Sequence, residues 1–125
     1  MRYLLYILLW VIPNQCLSQS LINKSELKEA QMSNEPIVVE FWADWNDSNK
    51  CHFLSSLKDC RIYRVCIEDY PDLAESYKIK VLPTIIVFNK TEEIVRFKGN
   101  LMFKLDVEKK EIQAVIDSIT ISKFR

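Results

Sequence analysis

The sequence predicts an α/β fold, a mixed sheet sandwiched between helices, on three observations. Residues 37–42 (IVVEFW) are almost continuously apolar and largely β-branched, the pattern of a strand covered on both faces. Near the C-terminus Ile112, Val115, Ile116 and Ile119 recur at the i, i+3, i+4, i+7 spacing of an amphipathic helix. Between these two landmarks strand-like and helix-like segments alternate in the order β-α-β-α-β-α-β-β-α, which in one short chain builds parallel crossover units.

Each element has a local reason. Residues 20–22 (SLI) read as a short edge strand, and Asn23 or Ser25 caps a helix (SELKEAQM) that stops before Asn34 and Pro36. The strand 37–42 lies mid-sheet. A helix over about residues 47–57 follows, then a strand at 62–67 (IYRVCI). Asp69, with Pro71 in the first turn, opens a helix reaching about Tyr77. After Val81-Leu82-Pro83 comes the strand 84–88 (TIIVF), joined through Asn89-Lys90-Thr91 to its hairpin partner 93–98 (EIVRFK). Asp106 is the expected cap of the last helix. A single glycine in 125 residues leaves the turns to Asn, Asp, Ser and Pro.

Composition narrows the function. Seventeen Lys and Arg balance seventeen Asp and Glu, so nothing in the composition points to a nucleic-acid surface. At the N-terminus, Met1 and Arg2 precede a ten-residue apolar run, Tyr3 to Ile12, then Pro13 and the small-residue patch Cys16-Leu17-Ser18. The run spans only ~15 Å as a helix, about half a bilayer core, and the order of charge, apolar stretch and small residues is that of a secretory signal. Residues 1–18 are therefore expected to be a signal peptide and 19–125 one domain, secreted or periplasmic, with no stable membrane span after cleavage. A retained anchoring helix is the alternative. The mature chain keeps Cys51, Cys60 and Cys66, an odd count that leaves one thiol unpaired or bridged to another molecule.

Three stretches carry a family resemblance: residues 39–45 (VEFWADW) leading into a helix, Leu82-Pro83-Thr84 ahead of a strand, and the lone Gly99 after the hairpin. In this order and at these distances, over residues 20–120, they resemble the thioredoxin family. The resemblance implies a three-layer sandwich with a central mixed four- to five-stranded sheet flanked by helices, and a cis peptide before Pro83. It also implies a W-C-x-x-C-K active-site motif, and here the chain departs: Trp45 is followed by Asn46-Asp47-Ser48-Asn49-Lys50. Disulfide exchange needs one thiolate to attack and a second to resolve the mixed disulfide. A carboxamide does neither. The expectation is a redox-inactive binding or scaffolding module without catalytic residue, cofactor or metal. Its expected surface is Trp45, Asn46, Asp47, Ser48, Asn49, Leu82 and Pro83, where an extended peptide or partner protein adds as a strand.

Plainer readings stand beside these. Asn46, Asp47 and Ser48 are a run of good helix caps, and Pro83 also reads as shaping the strand entry. Asn46-Asp47-Ser48, Asn23-Lys24-Ser25 and Asn89-Lys90-Thr91 are glycosylation sequons where the host has that machinery. Glu40 falls at the family's buried acid and is expected to pair with Arg64; His52 is expected to be solvated. Cys51 has two readings, a structural thiol or the thiol of a monothiol oxidoreductase. On a helix it sits beyond the first turn that favours a thiolate. Cys51 to Cys60 spans roughly 13 Å if helical and Cys60 to Cys66 roughly 20 Å if extended, against the ~6 Å of a disulfide. Cys51 with Cys66 stays open, and Cys66 also reads as core. A domain kept only for assembly with a neighbour is the structural alternative.

Overall fold

The computed structural model describes residues 20–21 and 23–124; the expected signal segment 1–18 and Ile22 of the expected edge strand lie outside the described residues. The elements run β1 (Ser20–Leu21), α1 (Lys24–Ala30), β2 (Ile37–Trp42), β3 (Arg61–Cys66), α2 (Pro71–Ser76), β4 (Thr84–Asn89), β5 (Glu92–Lys98) and α3 (Lys109–Ser122). Two short 3-10 segments, Asp44–Asn49 and Leu54–Ser56, lie between β2 and β3. The sheet order is β1-β3-β2-β4-β5, with β1, β3 and β2 parallel and β4 antiparallel to both β2 and β5. It is the mixed sheet the sequence predicts.

Every residue of β2 is buried, as its unbroken apolar run demands. Alternation sorts its side chains between two cores. Ile37, Val39 and Phe41 join Ile86 and Phe88 of β4 on one face, against Leu27 and Ala30 of α1 and Leu73 of α2. Val38 joins Ile85 and Val87 on the other, against Ile112, Ile116 and Ile119 of α3 and against Cys51, Leu54 and Leu57. The result is a three-layer α/β sandwich. Among the described residues no helix is long and apolar enough to cross a membrane.

The main correction concerns residues 47–57, expected as one helix. They form no α-helix: Lys50 is extended (φ −67°, ψ 158°) and separates the two 3-10 segments. The reason lies on other strands. Glu40 of β2 accepts the Cys51 N–H at 2.7 Å, and Arg64 of β3 donates to the Cys51 carbonyl at 2.9 Å. Both backbone groups that a helix would use at Cys51 are thus claimed by the sheet.

The caps differ as well. Asn23 closes a capping box with Glu26, as expected. Asp106, by contrast, is not the cap of α3, which begins after Glu108 without a side-chain cap; its carboxylate accepts from Asn100 Nδ2 instead. Left-handed backbone falls at Asp59, Lys78, Lys90 and Phe103, only the first of a residue type expected to make turns.

Candidate functional site

The site grows from the C-terminal end of β2, where Ala43 leads into the first 3-10 segment. Its entry is fixed by the Asp44 N–H donating to Glu68 Oε1 at 2.9 Å. Trp45 then projects outward, 59% exposed, whereas Asn46 turns inward and is 4% exposed. The Asn46 amide is held at both ends: Oδ1 accepts from Asn49 Nδ2 at 2.8 Å, and Nδ2 donates to the Phe103 carbonyl at 3.1 Å. The run 46–48 therefore caps nothing, contrary to the plainer expectation. A buried amide has its polar atoms satisfied where it lies, so Asn46 in the folded chain is closed to a glycan.

The two asparagines are one 3-10 turn apart and bonded directly to each other. The pair is neutral and has no sulfur to exchange. Asp47 and Ser48 are exposed, Asp47 pairing with Lys50 at 3.1 Å. The Lys50 ammonium stands 5.8 Å from the Trp42 ring centre. Trp42 itself is buried, and among the described residues its Nε1 has no hydrogen-bond partner.

Beneath the loop lies a charge pair. Glu40, fully buried, meets Arg64 Nε at 2.8 Å across the β2–β3 register and accepts the Cys51 N–H with its other oxygen. Burial pushes the Glu40 carboxyl above its ordinary value, and the Arg64 hydrogen bond works against that shift. The expected partner of Glu40 is thus the observed one.

Cys51 is buried, and its thiol is pushed up to about 11 by that burial and then by the Glu40 charge. Such a thiol is almost wholly protonated at neutral pH. Cys51, Cys60 and Cys66 are all free, so the Cys51–Cys66 bridge left open by the sequence is not formed. Cys66 fills core space, and His52 is exposed.

Leu82 and Pro83 are joined by a cis peptide as the resemblance implies, but both side chains are buried rather than lining an open groove. They connect to Trp45 through a loop the sequence did not single out. Gly99 donates its N–H to the Pro83 carbonyl at 2.8 Å, and a Cβ there would stand 2.5 Å from the Leu82 oxygen. This close approach makes the one glycine necessary. Asn100 then organises the turn. Its Oδ1 accepts from the N–H groups of Met102 and Lys104, and its own N–H donates to the Lys104 carbonyl. Phe103, at φ 61°, is held left-handed inside this network.

The loop lifts apolar side chains into solvent. Leu101 is 96% and Met102 70% exposed, and the Phe103 ring meets Trp45 edge-on with centroids 5.1 Å apart. Of the expected surface residues Trp45, Asp47 and Ser48 are exposed, Leu82 and Pro83 lie buried beneath, and Leu101, Met102 and Phe103 are exposed beside Trp45. The one available signal was three consecutive apolar residues that fit neither the strand period before them nor the helix period after. Elsewhere, Asp44, Cys66 and Glu68 bring one donor atom each within 4.8 Å of one another. Two of these are exposed carboxylates, one already engaged by a backbone N–H, a grouping common without a metal.

A three-layer sandwich with its loop at the end of the central strand and a cis-proline turn nearby defines a thioredoxin-fold protein. The family model described as Thioredoxin matches residues 19–118, and the chain belongs to the thioredoxin family. It is 33% identical over 98 residues to the chloroplastic thioredoxin Y1 of Arabidopsis thaliana, covering 71% of this chain and 53% of that protein. To the thioredoxin of Mycoplasma pneumoniae it is 31% identical over 80 residues, covering 59% of this chain and 78% of the other. The monothiol glutaredoxin-S17 of Arabidopsis thaliana matches at 25% identity over 87 residues, 65% of this chain but 18% of that protein. The chain thus spans about half the length, or less, of several curated relatives it matches. Among solved structures, a mutant thioredoxin from Halobacterium salinarum NRC-1 superposes with a TM-score of 0.65 at 18% identity, covering 82% of this chain and 89% of that one. Schistosoma mansoni thioredoxin does so at 0.63 and 21% identity, covering 81% and 95%. These two likenesses concern the fold alone.

Proposed function

We propose that this thioredoxin-like chain is a redox-inactive binding module, exported from the cytoplasm, that holds an extended peptide or partner protein on the surface formed by Trp45 and the 101–103 loop. The observation that carries the reading is the bonded Asn46–Asn49 pair directly beside an exposed Trp45 braced by Phe103. Carboxamides at these positions leave recognition, not electron transfer, for the loop to perform. An exposed aromatic held at low conformational cost, with apolar neighbours, is the kind of group that anchors an interface. The export half of the proposal rests on the order of residues within 1–18. The alternative, a monothiol oxidoreductase using Cys51, has against it a buried thiol whose ionisation is suppressed.

Two measurements test the reading. Insulin reduction by the full chain is expected to stay at the rate of dithiothreitol alone; turnover at thioredoxin-like rates would end the proposal. Selection of extended peptides from a displayed library is expected to yield binders whose affinity drops roughly tenfold or more in Trp45→Ala, a loss typical of an interface anchor. Binders indifferent to Trp45 would move the interface elsewhere.

A further inference from the structure

Residues 48–53 together with Lys104, Leu105 and Val107 line a pocket of about 310 Å³, near the lower end of the range that holds small ligands. Its walls divide by chemistry. Phe53, Leu105 and Val107 supply apolar surface, while Lys50, His52 and Lys104 supply nitrogen donors, and no carboxylate is among its lining residues. Lys50 is partly committed to Asp47 at 3.1 Å, outside the pocket lining. Lys104 differs: its ammonium makes no ion pair or hydrogen bond among the described residues. The Lys104 backbone is nonetheless fixed, because its N–H and carbonyl both bond to Asn100. A pocket lined by apolar side chains and by the basic residues Lys50, His52 and Lys104, with no carboxylate, is complementary to a ligand with one anionic head and a short apolar body.

We infer that this pocket binds small amphiphilic monoanions, of the medium-chain carboxylate class, with the head group between Lys104 and Lys50 and the chain against Phe53, Leu105 and Val107. The pocket adjoins the Trp45 surface, sharing Asn49 of the bonded pair with it, but does not depend on a peptide partner.

The test is an amide NMR titration of the full chain with sodium octanoate, and with octanol as the uncharged control. Octanoate is expected to shift amides of residues 48–53 and 104–107 and to saturate with a dissociation constant of about 1 mM or below, the affinity reachable by a ligand of some ten heavy atoms. Octanol is expected to bind at least about fivefold more weakly, and Lys104→Gln to weaken octanoate by a similar factor, the worth of one solvent-accessible charge contact. The amide spectrum away from the pocket reports whether that variant is folded; Lys104 is exposed and partnerless among the described residues, so its removal leaves no orphaned charge. Shifts outside the pocket, failure to saturate by about 10 mM, equal binding of octanol, or octanoate affinity unchanged in Lys104→Gln would each overturn the inference.

Discussion

At position 51 a cysteine stands only two residues beyond a loop that the family uses for thiol chemistry, and its surroundings keep that thiol protonated. The thiol rises from an ordinary 9.0 to about 11, through burial first and the Glu40 carboxylate second. Two units leave roughly a hundredth of the thiolate that an ordinary cysteine has at neutral pH. Iodoacetamide at pH 7.5 is therefore expected to label Cys51 in the folded chain at least ~100-fold more slowly than in urea, followed by mass spectrometry of its peptide. Labelling at the unfolded rate would restore the monothiol reading. Cys60, pushed up to about 12 by burial and then by Glu35 and Asp59, is expected to label no faster. The identity of residue 51 was visible in the sequence; its ionisation was not, because the groups that set it come from β2 and β3.

Among the elements, the loop from Gly99 to Lys104 does most to build the site. One end lies on Leu82 and Pro83, the other braces Trp45 and accepts the Asn46 amide. Gly99→Ala would put a methyl group 2.5 Å from the Leu82 carbonyl oxygen, a backbone atom that yields only if the cis-proline turn moves. Overpacking of this kind costs about 1–3 kcal/mol, so the urea midpoint of Gly99→Ala is expected to fall accordingly. An unchanged midpoint would mean the turn is softer than its packing indicates. Helix α3 and strand β2 were legible because one period governs each. The 3-10 segments were not legible: Asp47, Ser48 and Asn49 carry the local signs of a helix start, and the hydrogen bonds that end it come from Glu40 and Arg64, remote in sequence.

For the whole molecule, the buried Glu40–Arg64 pair links the neighbouring strands β2 and β3 to the site loop, and it ties stability to pH. Glu40 has its folded pKa raised above the ordinary 4.5, with burial outweighing Arg64. Between 4.5 and the folded value the native state holds the proton more tightly than the unfolded chain, so this group's contribution is present below 4.5 and is lost as pH rises through that window. Relative to Glu40→Gln, which stays neutral, the wild type is expected to lose stability as pH climbs from about 4 toward neutrality, measured as the difference in urea midpoints. A difference that grew with pH would show the ion pair outweighing its desolvation. The sequence by itself determined the sandwich, its central strand, its last helix and the asparagines at 46 and 49, because each follows from local pattern or from residue identity within a short motif. Tertiary structure alone decided that residues 47–57 abandon the helix, that Leu82 and Pro83 sit beneath the surface, and that Leu101, Met102 and Phe103 crown it. Those outcomes depend on which strand ends and loops meet in space, and hydrogen bonds between segments far apart in the chain leave no mark on local composition.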